Sequence, residues 1–367
     1  MKQTCILVLG MHRSGTSALT GTLGLLDIYL GKELLKAGDD NQKGYFENMS
    51  LYKINEKLLR SIDSSWDDIF YREEFLETII EIDDLKEAIK EQFGSSKLFA
   101  IKDPRLAYLF PLYERALKEL DIDIKIIIPY RNPIEVAASL KKRNEMPLEK
   151  AMLLWAYSFL LSEKFSRKYD RVFTSFNELI DEPKNVVSDI AEKLSLNVID
   201  KYNKNEMHIK EFLEPNLKHH NISLEDTKKN SIKIVKEILN LKDKFNTSDL
   251  SKEFDLLKDE LFSYQKLFYS EDLKNQKQEL NQTKQELNQT KQELNQTKQE
   301  LNQTKQELNQ TKQELNQTKQ ELNQTKQELN QTKQELNQTK QELIEVYTSK
   351  SWKATRPLRA IMRIIKK

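Results

Sequence analysis

A glycine-rich segment near the amino terminus carries residue types that bind phosphate. Residues 10–17 have the sequence GMHRSGTS and follow a short apolar run. A loop between a strand and a helix presents backbone N–H groups at the positive end of the helix dipole, where anions bind. Ser14, Thr16 and Ser17 add hydroxyl donors, and Arg13 adds a cation. The sequence therefore predicts a phosphate-binding loop.

A second basic residue stands at the end of another apolar run. The segment 126–139, IIIPYRNPIEVAAS, places Arg131 after that run and Ser139 eight residues later, on a predicted helix that begins at Pro133. Arginine offers a planar fork of donors to a phosphate, and a serine hydroxyl from the adjoining helix adds another. Arg131 and Ser139 are therefore a second candidate phosphate contact.

The elements around these residues predict an α/β fold. Helical patterns at 18–26, 84–93, 112–120, 133–142, 148–169 and 185–194 alternate with four apolar segments typical of buried strands, at 5–9, 98–101, 124–128 and 171–174. Such alternation indicates crossover units, so we predict a P-loop-like three-layer sandwich with a central parallel sheet. Sites in these sheets lie at the carboxyl ends of the strands, where both phosphate motifs fall.

The first loop differs from the loop of nucleotide triphosphatases at one position. Gly10, Gly15 and Ser17 match the pattern G-x-x-x-x-G-K followed by Ser or Thr, but Thr16 stands in place of the lysine. The loop thus lacks the cation that reaches the β- and γ-phosphates, and its cation is Arg13, three residues earlier.

The two motifs together resemble those of sulfotransferases that use 3′-phosphoadenylyl sulfate (PAPS), in particular bacterial and archaeal carbohydrate-type members. The run RSGTS at 13–17 is similar to the family's 5′-phosphosulfate loop, and Arg131 with Ser139 is similar to its 3′-phosphate motif. The resemblance spans roughly residues 4–220 and implies transfer of a sulfuryl group from PAPS to a hydroxyl or amine. It assigns donor binding to Arg13, Ser14, Gly15, Thr16, Ser17, Arg131 and Ser139.

Two cations are implied to act in the transfer itself. The segment KDPR at 102–105 resembles a segment that tyrosylprotein and heparan-type sulfotransferases place beside the transferring group. The resemblance gives Lys102 and Arg13 the role of stabilising negative charge that grows on the leaving phosphate oxygen.

A carboxylate after the first helix commonly serves as the general base in this family. The segment GYFE, similar to one in carbohydrate-type members, ends at Glu47, which is the best match. Asp39 and Asp40 are alternatives, and a structural pairing of Glu47 with Lys43 or Arg105 is also open.

The late part of the resemblance and the possible metal ligands give less specific predictions. Residues 212–219, FLEPNLKH, look like the family's loop over the nucleotide, with Lys218 or His219 where other members have an R-K-G triplet. The histidines show no ligand spacing, so we predict no metal site. Two rival functions stay open: a P-loop nucleotide kinase or hydrolase, and a non-catalytic coiled-coil scaffold with a degenerate nucleotide fold.

Charge is unevenly distributed along the chain. There are 59 Lys and Arg against 58 Asp and Glu, a net of +1. Residues 277–343 hold ten Lys and ten Glu, residues 344–367 carry +6, and about −5 is left for residues 1–276. A basic nucleic-acid-binding body is therefore excluded as the default. Since there is one cysteine and no apolar run near the length of a membrane span, we predict a cytoplasmic protein.

The chain is predicted to have three parts: a sulfotransferase domain at 1–245, a helical heptad-repeat coiled coil at 246–343 and a basic tail at 344–367. Nine copies of KQELNQT run from 277 to 339. With leucine at position a, threonine falls at d, lysine at e and glutamate at g, the arrangement of g-to-e′ ion pairs in parallel coiled coils. The repeat is either a parallel homo-oligomer or a solvated single-helix spacer.

The tail has the pattern of a short basic amphipathic helix. In 351–367, SWKATRPLRAIMRIIKK, apolar residues recur at helical spacing with arginine and lysine between them. This pattern is typical of segments that lie on an anionic membrane surface, here the inner membrane face, although packing on a protein partner or on the core is the alternative. A membrane-leaning tail suggests a glycan or lipid-linked sugar as acceptor.

Overall fold

The computed structural model describes residues 2–38, 43–71, 73–94, 96–214, 222–268 and 271–365. The chain divides into two compact units, Met1–Glu279 and Leu280–Lys367. The predicted boundaries at residues 245 and 343 stay a prediction.

Four parallel strands form the central sheet of the first unit. They are β1 Gln3–Val8, β2 Leu98–Lys102, β3 Ile122–Tyr130 and β4 Arg171–Ser175. Their order across the sheet is β2-β1-β3-β4, and every neighbouring pair is parallel. The predicted parallel sheet is confirmed, and each predicted strand falls on an observed one.

Helices cover the two faces of this sheet. The helices of the first unit are α1 Thr16–Leu25, α2 Met49–Ser61, α3 Asp83–Phe93, α4 Leu106–Glu119, α5 Pro133–Asn144, α6 Leu148–Ser166, α7 Phe176–Asp181, α8 Pro183–Lys193, α9 Ile199–Phe212, α10 Leu224–Asn230, α11 Lys233–Asn240 and α12 Ser251–Phe268. A helix was expected at 112–120, whereas α4 begins six residues earlier and contains Pro111.

Alternate side chains of the strands point to opposite faces of the sheet and belong to two separate hydrophobic cores. Cys5, Leu7 and Leu9 belong to one core, with residues from α2 to α6, α11 and α12. Ile6 and Val8 belong to the other, with residues from α1 and α7 to α9. Because both faces of each strand are buried, the strands are apolar along their length. The result is the predicted three-layer sandwich.

The carboxyl-terminal part of the core lies beyond the last strand. Phe254, Leu257 and Leu261 of α12 are buried in the same core as α6. Residues past 250 therefore contribute to the packing of the first unit.

A single long helix carries the repeat. Helix α13 runs from Glu271 to Thr348, and the part from Leu280 onward lies in the second unit. Two short helices follow, α14 Lys350–Ala354 and α15 Arg356–Ile365. The long helix predicted for this region is confirmed. No helix within the described ranges is both long enough and apolar enough to cross a membrane.

Candidate active site

The order of the strands creates a natural place for a ligand. Strand β2 lies on one side of β1, and the chain then crosses over to β3 on the other side of β1. Such a reversal opens a crevice at the carboxyl ends of β1 and β3, where ligands of doubly wound sheets bind. The loops that carry the two predicted phosphate motifs follow these two strands.

The loop after β1 is shaped for an anion. Gly15 is the N-cap of α1 with φ 86°, and no described side chain caps the first turn of that helix. A Cβ at Gly15 would lie 2.5 Å from Cδ2 of Phe176, so both the backbone angle and the space require glycine. Ser14 is buried, and its Oγ has no hydrogen-bond partner among the described residues. An uncapped helix start beside an unpaired hydroxyl is suited to binding an anion.

The two phosphate motifs meet through one hydrogen bond. Nε of Arg13 donates to Oγ of Ser139 at 2.7 Å, across 126 residues of sequence. Arg13 itself adopts the left-handed backbone conformation, with φ 68°. Non-glycine residues rarely adopt this conformation, and the surrounding structure must hold it. The structure thus brings together the first loop and the second turn of α5, the helix after β3.

Phe176 at the start of α7 is a second link between the motifs, and no sequence pattern pointed to it. Its ring contacts the loop at Gly15, and the Arg131 guanidinium carbon lies 4.5 Å from its centroid. Arg131 is buried and donates from Nε to Oε2 of Glu135 at 2.8 Å. The other carboxylate oxygen of Glu135 accepts from the backbone N–H of Ile222 at 3.3 Å. Arg131 is therefore held in place from two sides.

Lys102 lies under the phosphate loop and connects it to the predicted base. The residue ends β2 and is in register with Val8 of β1. Its ammonium group donates to Oε1 of Glu47 at 2.8 Å, to Oγ of Ser17 at 3.2 Å and to the carbonyl of Tyr45 at 2.9 Å. Lys102 is 4% exposed and Glu47 is 5% exposed. This buried ion pair fixes the base candidate beside the first turn of α1.

Glu47 is a carboxylate with an unusual proton affinity. Burial raises its pKa, while the nearby Lys102 opposes the rise. Its Oε2 also lies 3.9 Å from Nη1 of Arg105. Of the two structural pairings that were open, the one with Arg105 is present, whereas Lys43 pairs with Glu214 at 3.2 Å. The alternative bases Asp39 and Asp40 lie outside the described residues.

A buried polar network supports this corner of the site. Arg105 donates to Asp103 at 2.9 Å and to Glu56 at 2.5 Å. Asn55 of α2 donates to Asp103 at 2.9 Å and accepts from the hydroxyl of Tyr113 at 2.8 Å. The sequence motif KDPR pointed to Asp103 and Arg105, but nothing in the sequence marked the asparagine on α2.

His12 packs within the loop rather than at a proton-transfer position. Its ring meets Trp66 edge to face at 4.5 Å between centroids. Burial, followed by the positive charge of Arg105 and other nearby cations, lowers its pKa well below the usual range. The histidine is therefore neutral near pH 7 and adds no cation to the site.

A family comparison identifies the carboxyl-terminal half. The model of the family described as coiled-coil domain-containing protein 171 matches residues 160–358, more than half of the chain. The chain belongs to the coiled-coil domain-containing protein 171 family. In this family member, the matched range begins within α6 and reaches into α15, so it includes the repeat. The phosphate loop, Glu47 and Lys102 lie before the matched range.

Solved structures that are similar to the coiled-coil domain-containing protein 171 family member include three sulfotransferases. The sulfotransferase domain of the Synechococcus PCC 7002 olefin synthase is 14% identical with a TM-score of 0.38, covering 68% of this chain and 98% of that domain. The sulfotransferase domain from the curacin biosynthetic pathway is 15% identical with a TM-score of 0.34, covering 71% and 98%. Sulfotransferase STF9 from Mycobacterium avium is 14% identical with a TM-score of 0.35, covering 68% and 78%. No curated protein sequence matches the chain.

Two further predictions concern ligands at the edge of the site. Within the residues that the structure describes, no group of three or more His, Cys, Asp or Glu could hold a metal ion. Lys218 and His219, the candidates in the late loop, lie outside the described residues. The neighbouring part of that segment is described, and Phe212 packs edge to face on Phe46 at 5.9 Å between centroids.

Proposed function

We propose that this protein is a sulfotransferase that moves the sulfuryl group of PAPS to a hydroxyl or amine of an acceptor. The observation that carries the proposal is the 2.7 Å hydrogen bond from Arg13 to Ser139, which joins the two phosphate motifs at the crevice between β1 and β3. PAPS has phosphates on both the 5′ and the 3′ oxygen of one ribose, so it needs two anion sites within the length of one nucleotide. A nucleoside triphosphate carries all of its phosphates on the 5′ oxygen, so it needs only one anion site.

The residues divide between the two ends of the donor. The backbone and side chains of Arg13, Ser14, Gly15, Thr16 and Ser17 would hold the 5′-phosphosulfate, and Arg131 and Ser139 would hold the 3′-phosphate. The unpaired hydroxyl of Ser14 and the uncapped start of α1 support the first assignment. Because Arg13 contacts Ser139, loss of either residue would disturb both ends of the donor.

Glu47 would remove the proton of the acceptor as its oxygen or nitrogen attacks sulfur. The new bond to sulfur forms while the bond from sulfur to the 5′-phosphate oxygen breaks, leaving sulfated acceptor and 3′,5′-adenosine bisphosphate. The raised pKa of Glu47 makes it a stronger base than an exposed glutamate. Lys102, which contacts both Glu47 and Ser17, would stabilise charge on the leaving phosphate together with Arg13.

We assign the acceptor to glycans or lipid-linked sugars, on the strength of the basic tail. The alternative of a nucleotide kinase is disfavoured, because Thr16 stands where such kinases have the loop lysine that binds the β- and γ-phosphates. A coiled-coil scaffold remains the second candidate, because the family match covers the repeat and leaves out the loop.

We also propose that the repeat pairs two copies of the chain in parallel. The repeat threonines from Thr290 to Thr339 each donate their hydroxyl to the glutamate carbonyl four residues earlier, as Thr311 does to Glu307 at 3.0 Å. The hydroxyl is thereby satisfied within its own helix, and the methyl group can pack in the seam beside leucines that are 50–54% exposed. In the parallel register, Glu307 at g stands five residues before Lys312 at e of the partner helix.

Radiolabelled PAPS, offered to the full chain with a panel of glycans and lipid-linked sugars, tests the catalytic proposal. Label should move to an acceptor, and Glu47→Gln should lower turnover about 10²–10⁴-fold while leaving 3′,5′-adenosine bisphosphate binding intact. The exposed Glu87→Gln is the matched control and should behave as the unchanged protein. Equal turnover of Glu47→Gln and the control would contradict the role of Glu47, and failure to bind the nucleotide would refute the donor site itself.

A further inference from the structure

Helix α15 has two chemically distinct faces. At 100° per residue, Leu358, Ile361, Met362, Ile364 and Ile365 fall within about 160° of one another. Its arginines Arg356, Arg359 and Arg363 fall within about 60° on the other side. The five apolar side chains are 55–77% exposed, so nothing in the described chain covers them.

The chain turns away from the repeat just before this helix. Helix α13 ends at Thr348, and Ser349 caps α14 by accepting from the backbone N–H of Trp352 at 3.2 Å. The indole of Trp352 meets the ring of Tyr347 edge to face at 4.9 Å. The guanidinium carbon of Arg359 lies 3.5 Å from the centroid of the same indole. A tryptophan is thus held where the basic and aromatic groups of the tail converge.

Charge indicates what covers the apolar face. Residues 346–367 contain seven Lys and Arg and no Asp or Glu, so this stretch has no acidic group of its own to neutralise its charge. A protein core would leave these charges without partners. Anionic lipid headgroups neutralise them, while the aliphatic face enters the acyl boundary and the indole lies at headgroup level.

We infer that α14 and α15 dock the protein on an anionic lipid bilayer. The helix lies in the plane of the surface, with its isoleucine and leucine face toward the acyl chains and its arginines among the phosphates. This inference does not depend on the proposed donor and base sites, because it uses no residue of either, although the proposed acceptor class rests on the same tail.

Co-sedimentation of the full chain with vesicles tests the inference. The protein should pellet with phosphatidylglycerol–phosphatidylcholine vesicles and stay in solution with phosphatidylcholine alone. The triple change Arg356→Gln, Arg359→Gln and Arg363→Gln should weaken binding about 100-fold. The matched control makes the same charge change on the exposed surface of the first unit, Lys184→Gln, Lys204→Gln and Lys252→Gln, and should bind as the unchanged protein does.

A second pair of changes tests the apolar face. Ile361→Ser with Ile365→Ser should weaken vesicle binding at least about 10-fold without altering net charge. Equal weakening by the arginine variant and its lysine control would overturn the inference, because vesicle binding would then follow the net charge of the protein. Unchanged vesicle binding of both tail variants would overturn it as well. The inference would also be overturned if the tail variants lowered self-association in sedimentation equilibrium without vesicles. A second copy of the chain would then cover the apolar face of α15.

Discussion

Arg13 has two roles that the structure connects. It is the cation of the first loop, and its Nε donates to the hydroxyl of Ser139 on α5. A hydrogen bond to a charged group contributes about 1.5–3 kcal/mol, so this contact is strong enough to fix the arginine between the two motifs. The left-handed backbone of Arg13 points to the same conclusion, because that conformation needs support from its surroundings.

Loss of this contact is measurable as loss of nucleotide affinity. Ser139→Ala should weaken 3′,5′-adenosine bisphosphate binding about 10-fold or more, since it removes a donor to the 3′-phosphate and releases Arg13. Isothermal titration measures the change, with the exposed Ser61→Ala as the control. Identical dissociation constants for the two variants would contradict the role of Ser139.

The pH dependence of turnover reports on Glu47. Burial raises the pKa of the Glu47 carboxyl, and a general base must be deprotonated to act. As the pH is lowered, kcat/KM should therefore begin to fall at a pH above about 4.3, the ordinary pKa of glutamate. Lys102 lowers the pKa of Glu47, so Lys102→Met should raise it further and move the acid limb to higher pH. A pH profile of kcat/KM for both proteins is the measurement. An acid limb that stays in place or moves to lower pH in the variant would exclude Glu47 as the base.

Sequence alone could identify the chemical groups of the site but few of their partners, the pairing of Glu47 with Arg105 being one. The loop, Lys102 and Arg131 are visible because their residue types follow apolar runs in the chain. Glu135 and Phe176, which hold Arg131, are ordinary helix residues whose roles depend on tertiary packing. Asn55 is likewise buried by contacts with Asp103 and Tyr113, which are distant in sequence.

At the scale of elements, the strands were predictable, whereas five helices of the first unit, α2, α7 and α9 to α11, were not. A strand buried on both faces is a continuous apolar run, which is a strong pattern even over five residues. Helix α9 buries only Tyr202 and Ile209 along its length, so its sequence shows little apolar periodicity. Helix α2 places Asn55 between Leu51 and Leu59 on its buried face, which breaks the apolar pattern.

The repeat offers a clean test at the same scale. Leu308→Asn with Leu315→Asn places two amides in the proposed seam, so the dimer should dissociate to monomers at micromolar concentration. Gln306→Ala with Gln313→Ala, on the outer face of the same heptads, should leave the dimer intact. Sedimentation velocity over a range of concentrations distinguishes the two. If the unsubstituted chain is already monomeric, the proposed dimer is wrong and the repeat is a single-helix spacer.

At the scale of the whole molecule, near-neutrality conceals local charge of both signs. The site cations Lys102 and Arg131 are paired with Glu47 and Glu135, so their positive charge is balanced within the first unit. The +6 of residues 344–367 lies in the other unit. Near-neutral composition argues against general polyanion binding, whereas the proposed binding of one small phosphorylated nucleotide depends on the positions of a few residues.

Calorimetric titration of the full chain with nucleotides in the absence of divalent metal tests the proposed donor site. We expect 3′,5′-adenosine bisphosphate to bind at least about 10-fold more tightly than 5′-AMP, because only the bisphosphate has a phosphate for Arg131 and Ser139. We also expect Arg13→Ala to abolish this preference. Binding of ATP that requires Mg²⁺, with no affinity for 3′,5′-adenosine bisphosphate, would contradict the proposed donor site.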